Sequence, residues 1–314
     1  MTTRVALTGA AGFLGRHVVA DLTARGHDLS VLVHRTLPAD LPPDARIVQG
    51  GLHDAAALSD LVRGADAIVH LAGVIKARTA GDFLHANAEG TAALARAWRD
   101  HAPHACFLKV SSMAAREPGL SPYAASKRAA EQRLAEVHPE GDWRVLRPCA
   151  VYGPGDRETL GLFKAAAAPV QPLLNGRESR LCLIHATDVA SAVSALLANS
   201  YRHTVLEVTD ARVDGYGWGE MMAAASHAVG RPVRQMRVPA PLVRMAGLGG
   251  DLLAWASGRA VMTTSCKTRE ILHLDWSSSV HAQPGRAHWF PEIDLAAGFA
   301  NTVAWYRAQG WLPR

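Results

Sequence analysis

Residues 4–22 read Arg4-Val5-Ala6-Leu7, then Thr8-Gly9-Ala10-Ala11-Gly12-Phe13-Leu14-Gly15, then Arg16-His17-Val18-Val19-Ala20-Asp21-Leu22. The first four form a short buried strand, the last seven a helix, and the glycines make the turn between them. Gly9 permits the tight turn. Gly12 lets the backbone approach a pyrophosphate with no side chain in the way, and Gly15 lets the helix pack closely on the strand. Amides at the positive end of the helix then face the phosphates. A lone glycine triplet fits an ordinary strand-to-helix turn equally well. Here strand and helix flank it, which is the context that dinucleotide binding requires. The expected contacts are Gly9, Ala11, Gly12, Phe13, Leu14 and Gly15.

Outward from that turn, strand-like and helix-like segments alternate through about the first half of the chain. This is the α/β pattern of a doubly wound, Rossmann-type parallel sheet with helices on both faces. Further strands are expected at 29–33, entered through Gly26, and at 45–48, 65–73, 105–110 and 143–147. In such sheets ligands gather at the carboxyl ends of the strands, where the glycine turn, Leu71-Ala72-Gly73, Ser112 and Pro148 all fall. The dinucleotide-binding domain is expected over 1–170, with 181–208 returning to the sheet. Residues 171–314 are expected to form mostly a smaller, largely helical substrate lobe. Its helical patterns lie at 191–197, 221–229, 242–255 and 295–307, with short strands near 205–208 and 233–238.

Composition narrows the class. A hydrophobic share of 49% and a charged share of 19% over 314 residues suit a globular chain with a large core. The net charge of +5 is dispersed, without a basic stripe interleaved with aromatics, so no nucleic-acid partner is expected. Positive charge around a phosphate-bearing cofactor accounts for part of the excess. Cys106, Cys149, Cys182 and Cys266 contain no close-spaced pair, which favours structural thiols in a reducing, cytoplasmic setting over disulfides. The histidines offer no close-spaced ligand set, so no metal is expected. No charged leader precedes an apolar run and no segment is long and apolar enough to span a bilayer, so no membrane partner is expected.

Tyr123-Ala-Ala-Ser-Lys127 follows Ser111-Ser112. Residues four apart on a helix share a face, so the Lys127 ammonium can favour the ionised form of the Tyr123 phenol. Taken alone, such a pair is more often a surface coincidence. With a dinucleotide turn in the same chain it reads as a proton-transfer device.

These motifs together resemble the extended short-chain dehydrogenase/reductase superfamily, of the NAD-dependent epimerase/dehydratase type. The matching residues are Gly9, Gly12 and Gly15; His70-Leu71-Ala72-Gly73; Asn87 with Gly90-Thr91; Ser111-Ser112; Tyr123 with Lys127; and Arg147-Pro148 followed by Val151-Tyr152-Gly153-Pro154-Gly155-Asp156. The likeness extends to Ile184-His185-Ala186-Thr187-Asp188. It implies that Tyr123 exchanges a proton with a substrate oxygen, that Ser112 hydrogen-bonds the same oxygen, and that Lys127 also holds the nicotinamide ribose. Phenol ionises near pH 10 and needs that cationic help at neutrality. Ser111 reads as a strand-end hydroxyl making local backbone bonds, Arg147 as a partner for backbone or a carboxylate, and Tyr152 as structural. His34, Arg35, Leu71, Ala72, Gly73, Pro148 and Val151 complete the expected cofactor contacts. A homodimer through the helices holding Asn87 and Tyr123 is implied by the resemblance.

His34-Arg35 at the end of the second strand, with no acid, favours NADP over NAD, because Arg accommodates the extra phosphate. Gly51 stands where the resemblance implies an acid near the adenine. The leading functional reading is an NAD(P)-dependent oxidoreductase acting on a carbonyl or secondary alcohol of a small-molecule substrate. The alternative is a nucleotide-sugar epimerase with tightly bound NAD. Arg180 precedes His185-Ala186-Thr187-Asp188 one residue out of the register that diphosphate binding implies. A dehydratase fits less well, because Met113-Ala114 lacks the acidic pair, and intact Ser112, Tyr123 and Lys127 argue against a non-catalytic cofactor sensor.

Overall fold

The glycine turn joins two elements that bury against each other. In the computed structural model, which describes residues 3–174, 179–257 and 264–313, β1 (Arg4–Thr8) is buried at every position after Arg4. It leads into α1 (Phe13–Ala24), whose Val18, Val19 and Leu22 face inward. β2 (Asp28–Val33), β3 (Arg46–Gln49), α2 (Ala55–Val62) and β4 (Ala67–His70) follow. Past β4 come α3 (Ala80–Phe83), a π-helical turn over Leu84–Glu89, and α4 (Gly90–His101). β5 (Cys106–Val110), a 3-10 turn over Met113–Arg116, α5 (Pro122–Val137) and β6 (Trp143–Pro148) complete this stretch. Helix starts follow local chemistry: the Asp54 carboxylate accepts from the Ala57 amide to cap α2, and Ser121 caps α5 ahead of Pro122 in its first turn.

These six strands form one parallel sheet in the order β6-β5-β4-β1-β2-β3. The chain runs from β1 to β2 on one side and returns to β4 on the other, so a crevice opens at the carboxyl ends of β1 and β4. Helices α2 and α4 cover one face. Leu58, Leu61, Leu94 and Trp98 pack there with Ile68 and Phe107 of the sheet. The Trp98 indole donates to the Ala105 carbonyl at 2.9 Å, which satisfies the polar atom that this large ring brings into the core.

The chain then passes through β7 (Ala150–Tyr152), α6 (Leu160–Ala166), β8 (Gln171–Leu173), β9 (Arg180–Leu181) and β10 (Leu183–His185). Helix α7 (Ala186–Ala198) carries it back to β11 (Thr204–Val208), which adds in parallel beside β6 as the seventh strand. Beyond lie α8 (Trp218–Ala228), β12 (Gln235–Arg237), α9 (Ala240–Ser257), α10 (Ser265–Leu272), β13 (Asp275–Trp276) and α11 (Leu295–Ala308). Three parallel pairs, β7 with β10, β8 with β12 and β9 with β13, tie this part together.

Two compact units result. The first holds residues 1–148, 189–208 and 284–290, and the second holds 149–188, 209–283 and 291–314. The opening segment of the first unit ends at Pro148, earlier than the expected boundary at 170, and 181–188 stays with the second while 189–208 returns to the first. The reason is packing: Tyr152 and Phe163 bury against Met221, Phe299 and Tyr306, with the Phe163 and Phe299 rings edge to face at 4.9 Å. No helix among the described residues is long and apolar enough to cross a membrane.

Candidate active site

The first unit carries a cradle that a side chain would fill. Gly9 has φ +83°, and a Cβ there would lie 2.6 Å from the Ala72 amide nitrogen in the loop after β4. A Cβ on Gly15 would overlap the Gly9 carbonyl. Gly12 is the N-cap of α1, with no side chain on the first-turn amides and no acid in that turn. Ala11 and Gly12 are exposed, while Phe13 and Leu14 are half-buried. An open helix terminus beside a turn whose only side chains are the methyls of Ala10 and Ala11 fits the pyrophosphate of a dinucleotide.

Behind the cradle runs a buried polar relay. The Ala72 amide donates to Thr8 Oγ1 at 3.3 Å, Thr8 Oγ1 lies 2.7 Å from His70 Nδ1, and His70 Nε2 lies 2.9 Å from Thr91 Oγ1. Thr91 gives its own proton to the Asn87 carbonyl at 2.6 Å. His70 Nε2 therefore donates and Nδ1 accepts, which is the neutral imidazole. Burial, helped by the charges of Lys109 and Lys127, holds His70 well below the usual imidazole range. Asn87, 1% exposed, clamps the neighbouring loop. Its Nδ2 donates to the Val74 carbonyl and to Ser126 Oγ, and its Oδ1 accepts from the Val74 amide at 2.7 Å. Ser126 in turn donates to the Tyr123 carbonyl at 2.7 Å, so the loop after β4 is fastened to the first turn of α5.

That turn holds Tyr123, half-buried, with its ring edge-on to Phe83 at 6.2 Å. One turn on, Lys127 is 7% exposed, and its Nζ donates to the Val110 carbonyl at 3.2 Å, at the last residue of β5. Burial brings the Lys127 ammonium down to about 8, with Glu131 opposing the shift. Ser112 lies two residues beyond Val110, and its Oγ accepts from the Ala114 amide at 3.2 Å. That bond leaves the hydroxyl proton for another acceptor.

Ser111 departs from its expected local role. Its hydroxyl donates to Glu131 Oε1 at 2.5 Å, and Arg147 grips the same carboxylate through Nε at 2.9 Å and Nη2 at 2.5 Å. Both long side chains are 7% exposed. A buried carboxylate needs such partners, and Ser111 at the strand end is within reach while solvent is not. Glu131 was not among the sequence candidates. The signal was present in its spacing, since 123, 127 and 131 follow one helix face.

At the far end of the cofactor groove expected from sequence, His34 and Arg35 are exposed after β2. Gln49 Nε2 donates to the His34 carbonyl at 2.9 Å, and a Cβ on Gly51 would touch the His34 ring at 3.4 Å. An imidazole thus lies against the position where an acid was implied, and nearby Asp54 is engaged in capping α2. Leu71 and Ala72 are half-buried, Gly73 is exposed and Pro148 is buried, all in the first unit. Val151 belongs to the second. Tyr152, fully buried there, stands edge to face on His185 at 5.5 Å and Phe299 at 4.9 Å, and burial raises its phenol far out of working range. Asp188 accepts from the amides of Glu292 and Ile293 at 3.0 and 3.1 Å, so it organises the second unit's backbone. Arg180 is exposed and 3.9 Å from Glu220.

Comparison with known proteins places this geometry. The model of the NAD dependent epimerase/dehydratase family matches residues 5–208. The ceramide reductase of Caulobacter vibrioides is 44% identical over 318 residues, covering 99% of this chain and 96% of that protein. The 2'-dehydrokanamycin reductase of Streptomyces kanamyceticus is 30% identical over 250 residues, covering 76% and 70%. Among solved structures, DesIV, the dTDP-glucose 4,6-dehydratase of Streptomyces venezuelae with NAD and TYD bound, aligns with a TM-score of 0.73. That alignment covers 99% of each chain at 24% identity, a likeness of fold.

Proposed function

Because this chain belongs to the NAD dependent epimerase/dehydratase family and is a nicotinamide-dependent oxidoreductase, we propose that it reduces a ketone on a ceramide-type lipid to the secondary alcohol. In this reading Ser112, Tyr123 and Lys127 manage the proton. The observation that carries the chemistry is the buried Lys127 ammonium, tied to the end of β5 one helical turn after Tyr123. The substrate class rests on the near full-length identity with a ceramide reductase.

Gly9, Gly12, Gly15 and the start of α1 would hold the pyrophosphate, and Lys127 the nicotinamide ribose. When bound, the nicotinamide supplies the hydride that forms the new C–H bond. The Tyr123 phenol gives its proton to the carbonyl oxygen, and Ser112 donates a hydrogen bond to that oxygen. The Lys127 charge favours the phenolate left behind, which takes its next proton from solvent. At neutral pH a lysine at about 8 remains mostly charged, as this step needs. NADP is favoured over NAD because the exposed Arg35 follows β2 where no acid stands. A homodimer through the π-helical turn that holds Asn87 and the helix α5 that holds Tyr123, and a cytoplasmic setting, belong to the same reading. The epimerase alternative draws on nucleotide-sugar enzymes among the structural neighbours, and likeness at 24% identity or below concerns the fold.

The test is turnover of NADPH with a long-chain N-acyl amino ketone, followed at the nicotinamide absorbance, with mass spectrometry reading a gain of two hydrogens. Tyr123→Phe should abolish turnover and leave cofactor affinity nearly intact; near-normal turnover in that variant would remove Tyr123 from the mechanism. Bound NAD released only on denaturation, with no net oxidation of added cofactor, would favour the epimerase.

A further inference from the structure

Helix α9 of the second unit turns the wrong face outward for a protein surface. Val243, Gly247 and Gly250 are its inward positions. There α9 packs on α10 so closely that a Cβ on Gly247 would lie 2.6 Å from Thr268 Oγ1. The opposite side should then be polar. Instead it presents Leu242, Met245, Leu248 and Leu252, exposed by 53%, 64%, 62% and 65%, with Leu253 beside them. At 3.6 residues per turn these side chains sweep an arc of about 140°. A helix apolar all round is ordinarily buried or in contact with lipid, and a contiguous patch of this size on a surface marks an interaction site.

The charge around the patch selects what covers it. From Met221 to Gly250 the chain contains Arg231, Arg234, Arg237 and Arg244 and no Asp or Glu. All four arginines are exposed, and none is ion-paired among the described residues. The flanking Asp251 is occupied, accepting from the Ser265 amide at 3.2 Å. A second copy meeting this face across a two-fold axis would bring the four arginines of each copy together, with Asp251 the one acid on the helix. A bilayer bearing anionic headgroups matches both features: acyl chains receive the leucine and methionine arc, and phosphates receive the arginines.

We infer that α9 and the basic segment before it form a peripheral membrane-binding surface that seats on anionic phospholipid. The helix lies in the interface rather than across it, so the lack of a spanning helix among the described residues does not bear on this contact. A charged leader and a spanning segment were the two signals weighed in expecting no membrane partner, and neither concerns a helix lying in the interface. The inference does not depend on the ceramide-type substrate, and its test involves no turnover.

The full chain is floated with phosphatidylcholine vesicles and with vesicles containing phosphatidylglycerol. Binding is expected to the second kind only and to weaken as salt is raised. Arg237→Ala and Arg244→Ala should each lower the vesicle partition coefficient by about fivefold. Leu248→Glu with Leu252→Glu should abolish flotation. Each variant changes exposed side chains, so titration with NADPH and thermal melting should match the unaltered chain and establish that it is folded. Absence of flotation with either vesicle, salt-independent binding, or unchanged flotation in the double glutamate variant would each overturn the inference. So would a dimer that Leu248→Glu dissociates while lipid binding persists.

Discussion

Lys127→Met tests whether the buried ammonium is held at a cost to stability. Burial lowers Lys127 from its ordinary 10.5 to about 8, which corresponds to about 3 kcal/mol between folded and unfolded chains. The sign follows from proton counts. Between pH 8 and 10.5 the unfolded lysine is protonated and the folded one is largely not, so the unfolded state binds more protons and this residue makes stability rise with pH. Below pH 8 both states are charged, and the folded chain bears the whole cost. Methionine fills the same space without charge but gives up the bond to the Val110 carbonyl, a loss of about 1–2 kcal/mol. At pH 7 the variant should therefore be more stable by about 1–2 kcal/mol while inactive. By pH 9.5 the difference should shift by about 2 kcal/mol in favour of the unaltered chain. Urea unfolding of both chains at the two pH values measures this directly. Burial first and the Lys127 charge second hold Lys109 well below its ordinary value, so removing Lys127 also alters Lys109, and the same pair is therefore compared in a Lys109→Met background. A stability difference that does not change with pH in that background would refute the argument.

Three further outcomes follow from the site. Arg147→Met leaves the Glu131 carboxylate buried without its two-pronged partner and should cost about 3–5 kcal/mol in urea unfolding, with Glu131→Gln in the same chain restoring part of it. Arg35→Asp should weaken NADPH binding more than NADH binding; titrations giving an unchanged preference would reverse the cofactor assignment. Gly9→Ala, at φ +83° and against the Ala72 amide, should lower the melting temperature and abolish cofactor binding, and an alanine chain that binds cofactor normally would show that the cradle is not the pyrophosphate site.

Much of the fold was legible because its signals are short-range. The strand at 4–8, the glycine turn and the helix after it are contiguous, and β2, β5 and β6 fall within a residue of their expected starts. The boundary at 170 was misplaced because no break in composition marks residue 148. What separates the units is where Tyr152 and Phe163 find partners, and those partners lie roughly 60 to 150 residues further along the chain. In the second unit the strand expected over 233–238 shrinks to Gln235–Arg237, all three exposed, since it pairs only with the three-residue β8.

The candidate site divides along the same line. Sequence alone determined the pieces whose geometry is local: the glycine turn before α1, and Tyr123 and Lys127 one helical turn apart. Tertiary structure decided everything that depends on what is brought alongside. It moved Ser111 from a backbone role to the Glu131 carboxylate, gave that carboxylate its Arg147 partner from β6, and joined Thr8, His70 and Thr91 into a neutral relay. It also turned the apolar arc of α9 outward, which a helical period alone would have assigned to the core. Periodicity reports that a face is apolar, but only the packed chain decides whether that face meets the core, and a titratable group takes its charge from neighbours remote in sequence.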